Sequence, residues 1–156
     1  MFLSATPEAP AAGAARYVGA QRCKTCHPFE FEVWSTGPHA NAHKSLSEEQ
    51  LASAKCSSCH TMIPAEPAGK FAGVQCERCH GPGRYYQPSY VMADGVLARA
   101  VGLMDPTPAH CEQCHTPEAP SVEGFDFSRL WALIDHGAEA RKAWEKARAG
   151  SAPTSP

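Results

Sequence analysis

One pattern, Cys-x-x-Cys-His, occurs four times in the 156 residues: Cys23-Lys-Thr-Cys26-His27, Cys56-Ser-Ser-Cys59-His60, Cys76-Glu-Arg-Cys79-His80 and Cys111-Glu-Gln-Cys114-His115. Two thiols with this separation reach the two vinyl groups on one edge of a porphyrin as thioethers. The histidine next in sequence then lies beneath the iron as its proximal axial ligand. The pattern therefore reads as four covalent haem c groups, with iron held by His27, His60, His80 and His115. All eight cysteines are used in this way, and none is left for a disulfide or a free thiol.

Zinc is the competing chemistry, because paired Cys-x-x-Cys elements also build tetrahedral structural sites. Such sites have no need for a histidine directly after each second cysteine. At a histidine frequency of about one in fifty, four coincidences amount to about one chance in ten million.

Four haems leave 39 residues each, and the chain is 43 % hydrophobic with few long apolar runs. A polypeptide so small per cofactor cannot build a large core of its own, so haem faces must supply most of the buried apolar surface. The apo-chain is expected to be largely unfolded. With 12 glycines and 14 prolines, the expected fold is mainly α with extensive loops, compact around its haems and with little or no β-sheet. Residues 1–16, rich in Ala, Pro and Gly, read as a disordered leader or linker, residues 17–149 as the haem domain, and residues 150–156 as a disordered tail.

The formal charge of -2 excludes the haems, which take the holoprotein to about -6 oxidised and about -10 reduced. Nucleic acid is thereby disfavoured as a partner. A weak positive bias at Arg141, Lys142, Lys146 and Arg148 reads as a solvated helix face rather than a docking patch. Haem c is attached outside the bacterial cytoplasmic membrane, so a periplasmic or extracellular location is expected. The start, Met1 to Thr6, is too poor in apolar residues for a complete export signal, so the leader is either removed or leaves these residues as its remnant. No segment approaches a membrane span in length, and an integral membrane protein is not expected.

Pro28 suits the first position of a short helix through Ser35, whose Phe29, Phe31, Val33 and Trp34 are expected against haem. His39, His43 and Leu46 follow at i, i+4 and i+7, one helical face. Ser47 to Gln50 forms a capping-box pattern for a helix through Lys55, and residues 61–74 read as loop. Asp94 caps a helix through Met104 with Val96, Leu97, Val101 and Met104 as its buried stripe. Thr107 and Pro108 open the last haem-binding helix. A helix over residues 127–149, interrupted near His136, buries Phe127, Leu130, Trp131 and Ile134.

Eight histidines less four proximal ones leave His39, His43, His110 and His136 as candidate distal ligands. Complete bis-histidine ligation would give low-spin, low-potential haems, since methionine ligation raises the potential. His110 immediately precedes Cys111 and would have to reach a neighbouring haem. Met92 and Met104 are alternative ligands, though a methionine on an apolar stripe is usually core. Arg84 is a candidate for a haem propionate, whose planar carboxylate suits a guanidinium fork.

The first motif, Trp34, Pro38-His39-Ala40 and Leu46, followed by Gly73-Val74-Gln-Cys76-Glu-Arg-Cys79-His80-Gly81-Pro82-Gly83-Arg84, resemble the tetrahaem cytochrome c-554 family over residues 17–149. The resemblance implies short helices and loops around a pairwise-stacked haem array. It also implies that His39 is distal ligand to the third haem, that a histidine near His136 serves the fourth, and that the second haem, on His60, lacks a distal protein ligand. Two departures stand out. No histidine follows the Gly-Pro-Gly-Arg turn between Tyr85 and Met92, and the long insertions between motifs are missing.

The expected function is electron relay between redox partners such as other cytochromes, reductases or dehydrogenases. No separate catalytic constellation is identified. The alternatives are reduction of a small nitrogen species at a five-coordinate haem, and a structural role in an extracellular cytochrome filament.

Overall fold

The computed structural model describes residues 16–64, 68–119 and 125–149. The expected leader, apart from Arg16, and the expected tail fall outside these residues. The helices are α1 (Ala20–Lys24), α2 (Pro28–Thr36), α3 (Pro38–Asn41), α4 (Glu48–Ala52), α5 (Ala54–His60), α6 (Cys76–His80), α7 (Ser89–Met92), α8 (Gly95–Ala100), α9 (Pro108–Glu112), α10 (Phe127–Trp131) and α11 (Ala138–Ala149). Among the described residues, β-pairing is limited to isolated bridges from Thr61 to Ala72 and Gly73. The mainly helical, loop-rich expectation therefore holds. No helix among them is long and apolar enough to cross a membrane.

Local chemistry accounts for most boundaries. Pro28 occupies the first turn of α2, whose donor would be unpaired in any case. The Ser47 N–H donates to Gln50 Oε1 at 2.9 Å while the Gln50 N–H donates to Ser47 Oγ at 3.2 Å, a reciprocal cap that starts α4. That helix ends at Ser53, which is extended and leads into α5, so the helix expected through Lys55 is two helices. The C-terminal segment is likewise divided, into α10 and α11.

Two packing expectations are corrected. The stripe assigned to Val96, Leu97, Val101 and Met104 is not what α8 buries: Val96 is 82% exposed while Ala98 is 0% exposed. The Asp94 cap, accepting from the Val96 and Leu97 N–H groups, fixes a helix of six residues. It presents Ala98 to Tyr86 and Val91, with Met92, Val101 and Leu103 closing over them. The basic residues of α11 are not simply a solvated face either. Trp144 meets Phe29 of α2 at 5.3 Å between ring centroids, Arg141 pairs with Glu30 and Arg148 lies 3.9 Å from Glu32. Helix α11 is thus docked on α2, with Lys142 turned to Glu139 of its own helix.

The apolar core is small, as the size argument requires. Its buried members among the described residues are Ala20, Phe29, Met62, Phe71, Tyr86, Val91 and Ala98. The largest fully buried side chain is instead a carboxylate, Glu77. It lies inside the third motif and accepts from the N–H groups of Val18 at 3.0 Å, Gly19 at 2.8 Å and Gly83 at 2.6 Å. Next to it, Gln75 accepts from the Ala20 N–H at 2.8 Å and donates to the Lys70 and Ala72 carbonyls. These two side chains hold the N–H groups at the start of α1, which no intrahelical acceptor can satisfy. The first haem motif is thereby fixed against the third.

Candidate haem centres

Helical geometry explains how each motif presents its thiols. Cysteines separated by two residues fall on one face of a helix turn: α5 and α6 carry whole motifs, α1 and α9 carry the first cysteine of theirs, and a turn carries the rest. None of the eight thiols is in a disulfide. The thiols of Cys23 and Cys76 lie close enough to shift each other's ionisation, and Cys114 is shifted likewise by Cys59. The first motif therefore meets the third, and the second meets the fourth. Arg78, between the cysteines of the third motif, donates to the Ser58 carbonyl of the second motif at 2.9 Å, with its charge near the Cys114 thiol, so it ties the two pairs together.

Four of the thiols are held toward the protonated form, while Cys23 is pushed down by its neighbour Cys76. The neighbouring Cys23 thiol, followed by burial, pushes the Cys76 thiol up; burial pushes up Cys79 and Cys111, and takes Cys114 up to about 11. Zinc needs thiolates. Among the described residues, no group of three or more His, Cys, Asp or Glu side chains is disposed to hold a bare metal ion.

The histidines give the second test of fit. The rings of His39 and His115 lie 6.0 Å apart between centroids, and those of His80 and His136 lie 6.1 Å apart. Where a nitrogen of each ring turns toward the midpoint, a metal ion there would stand at about 2 Å from both, the ordinary bond length to imidazole. Burial holds His39, His80 and His115 below the usual imidazole range, which favours the neutral, lone-pair-bearing form that ligates iron. The residues present fit haem. The ring nearest His39 is that of His115, in the fourth motif, and the ring nearest His136 is that of His80, in the third, whereas the resemblance implied the third haem for His39 and the fourth for His136.

The remaining candidates fall elsewhere. The 3-10 turn Ala42–Ser45 follows α3 directly, and its tighter winding breaks the shared face expected for His39 and His43. The His43 Nδ1 is buried without a hydrogen-bond partner. His110 is engaged locally, its Nδ1 accepting from the Thr107 N–H at 3.1 Å. In a neutral ring that leaves the proton on Nε2, so the nitrogen facing outward has no lone pair to offer iron. Replacing His110 by glutamine, which can still accept from Thr107, should therefore leave the holoprotein's spin state and carbon monoxide response unchanged. Absorption spectra of the oxidised and CO-treated reduced forms check this. Arg84 is exposed, with its backbone N–H bonded to the Arg16 carbonyl at 3.1 Å. Met104 is 37% exposed and Met92 packs against the Tyr86 cluster, as a core methionine does.

Sequence reasoning missed the groups behind the ligands. His60 Nδ1 lies 2.8 Å from the Ala42 carbonyl, His80 Nδ1 3.2 Å from the Met104 carbonyl and His136 Nδ1 2.8 Å from the Ile134 carbonyl. An Nδ1–H donated to such a carbonyl leaves the lone pair on the other ring nitrogen, the atom that could bind a metal. Backbone acceptors leave no mark in a sequence. Trp34 and Gly73 do, and they position His39. The Trp34 Nε1–H donates to the Val74 carbonyl at 2.8 Å, and the Val74 N–H donates to the His39 carbonyl at 2.9 Å. Gly73 has φ 75°, and a Cβ there would stand 2.3 Å from the Ala40 carbonyl oxygen; only glycine lets the two strands of chain close around His39.

Comparison with known proteins agrees with this chemistry. The family model for cytochrome c554 and c-prime matches residues 22–81, which contain the first three motifs and His39. Cytochrome c-554 of Nitrosomonas europaea is 28% identical over 97 residues, a match covering 47% of this chain and 41% of that protein. No solved structure matches. Through residues 22–81, with their helix-borne Cys-x-x-Cys-His motifs and the histidine held between them, the chain is similar to the cytochrome c-554 family.

Proposed function

We propose that the chain is an exported tetrahaem c-type cytochrome that relays electrons between redox partners. The observation that carries this reading is the tying of motifs to one another, the third to the first through Glu77 and Gln75 and to the second through Arg78, with Cys23 beside Cys76 and Cys59 beside Cys114. Haems attached there would be neighbours through their thioether edges, the condition for electron transfer from one to the next. A haem supplies the one-electron chemistry; the chain fixes spacing, axial ligation and surroundings. His39 with His115, and His136 with His80, are assigned as axial pairs. The fourth motif lies beyond the residues that match the family model, and its haem rests on its own Cys111, Cys114 and His115. The partners are other redox proteins on the outer side of the cytoplasmic membrane.

Haem counting by intact mass is the direct test. Four haems per chain are expected, falling to three when Cys111 and Cys114 are both replaced by serine. Fewer than four in the parent protein overturns the tetrahaem assignment.

A second reading is favoured by one observation. Among the described residues, ring pairs of the His39–His115 kind involve neither His27 nor His60. A haem on His60 without a distal imidazole would be open to a small molecule, which keeps reduction of a small nitrogen species as the alternative function.

A further inference from the structure

The first motif differs from the others in what lies behind its histidine. His60 and His80 have neutral backbone carbonyls at Nδ1, and the His115 Nδ1 is buried without a partner. His27 has a carboxylate: Glu30 Oε2 stands 3.9 Å from its Nδ1. That oxygen is buried and makes no hydrogen bond among the described residues, while Oε1 of the same carboxylate is held by Arg141 from α11. The Glu30 side chain is only 19% exposed, so its field is weakly screened by water.

We propose that Glu30 is a positioning and tuning residue for the iron held by His27, and that Arg141 sets its strength. At 3.9 Å the carboxylate acts on the imidazole through its field rather than through a hydrogen bond, which increases the ring's electron donation to the metal it would hold. A negative charge beside the ring also favours the ferric over the ferrous state. Both effects lower the reduction potential of this haem relative to those backed by carbonyls. Arg141 opposes the second effect by partly neutralising the carboxylate. Because Arg141 is brought in by α11, docked through Trp144 on Phe29, the C-terminal helix takes part in setting the potential of a haem bound more than a hundred residues earlier. The inference rests on the proposed haem at Cys23 and Cys26.

Spectroelectrochemical titration of the holoprotein tests it, with Glu30→Gln, Arg141→Gln and Trp144→Ala compared with the parent. In Glu30→Gln one haem component should rise by about tenfold in its reduction equilibrium constant, about 59 mV for one electron, while the others stay. Arg141→Gln should move the same component downward. Trp144→Ala, which weakens docking without removing either charge, should shift it less than either. Unmoved components in Glu30→Gln overturn the proposal, as do shifts of the same sign in Glu30→Gln and Arg141→Gln. Haem content measured on the same samples separates this from failure of the parent reading, which would appear as a haem missing from the unsubstituted protein.

Discussion

Replacing Glu77 by alanine should lower the stability of the holoprotein by about 3 kcal/mol or more, among the largest effects of any single substitution outside the haem motifs' cysteines and histidines. The carboxylate is 2% exposed and accepts from three backbone N–H groups, those of Val18, Gly19 and Gly83. Alanine leaves all three without acceptors in a site closed to water, and each such orphan costs about 1–3 kcal/mol. Glutamine should be intermediate, because one oxygen still accepts but its amide NH₂ is directed at a donor. Thermal melting followed by far-ultraviolet circular dichroism measures both variants, with the order parent, Gln, Ala. Limited proteolysis should locate the damage: cleavage around residues 16–22 should precede any elsewhere, because those N–H groups are what Glu77 and Gln75 hold. An alanine variant that melts with the parent would show that the carboxylate is dispensable to the joint between the first and third motifs.

Glu77 also marks where reading the sequence stops. The haem motifs, the Ser47 and Asp94 caps and the Pro28 helix start depend on residues a few positions apart, and pattern alone finds them. Glu77 sits between two haem-attaching cysteines, and nothing nearby in sequence distinguishes it from the solvated glutamate at Glu112 in the fourth motif, which is exposed. Its partners at Val18 and Gly19 are 59 and 58 residues away. The same limit applies to α11. Its charges were legible, but that Arg141 and Arg148 would find Glu30 and Glu32 required knowing that Trp144 packs on Phe29. The α8 stripe was misread for a different reason. Helical periodicity assigns a buried face only over several turns, and a six-residue helix fixed by its cap buries a single small residue, Ala98. Spare histidines could be counted from the sequence, whereas which iron each faces depends on the way α3 and the segment after α10 approach their partners.

Removing His39 should convert one haem of the oxidised protein from low to high spin and make that haem bind carbon monoxide once reduced. The geometry gives the reason. His39 is the only spare imidazole among the described residues that is set ring to ring with His115, and its backbone is pinned by Val74 while Gly73 closes against Ala40. Among the described residues neither other spare histidine of this region is placed to take over, since His43 lies one 3-10 turn further on and His110 is committed to Thr107. His136→Ala should open one haem as well, this time the one held by His80. Because the two sites are separate irons, the double variant should show two open haems, as independent substitutions add. Electron paramagnetic resonance of the ferric protein counts the high-spin centres, and carbon monoxide difference spectra count the open ferrous ones. If the double variant opened only one haem beyond the parent, the two histidines would share a site and the crossed pairing would be wrong. If His39→Ala stayed wholly low-spin, His43 would have to be the ligand, which would require the 3-10 turn at Ala42–Ser45 to rewind when haem is attached. The loss of a strong axial ligand should also raise the potential of the affected haem, so each variant should lose one low-potential component from the redox titration and gain one at higher potential.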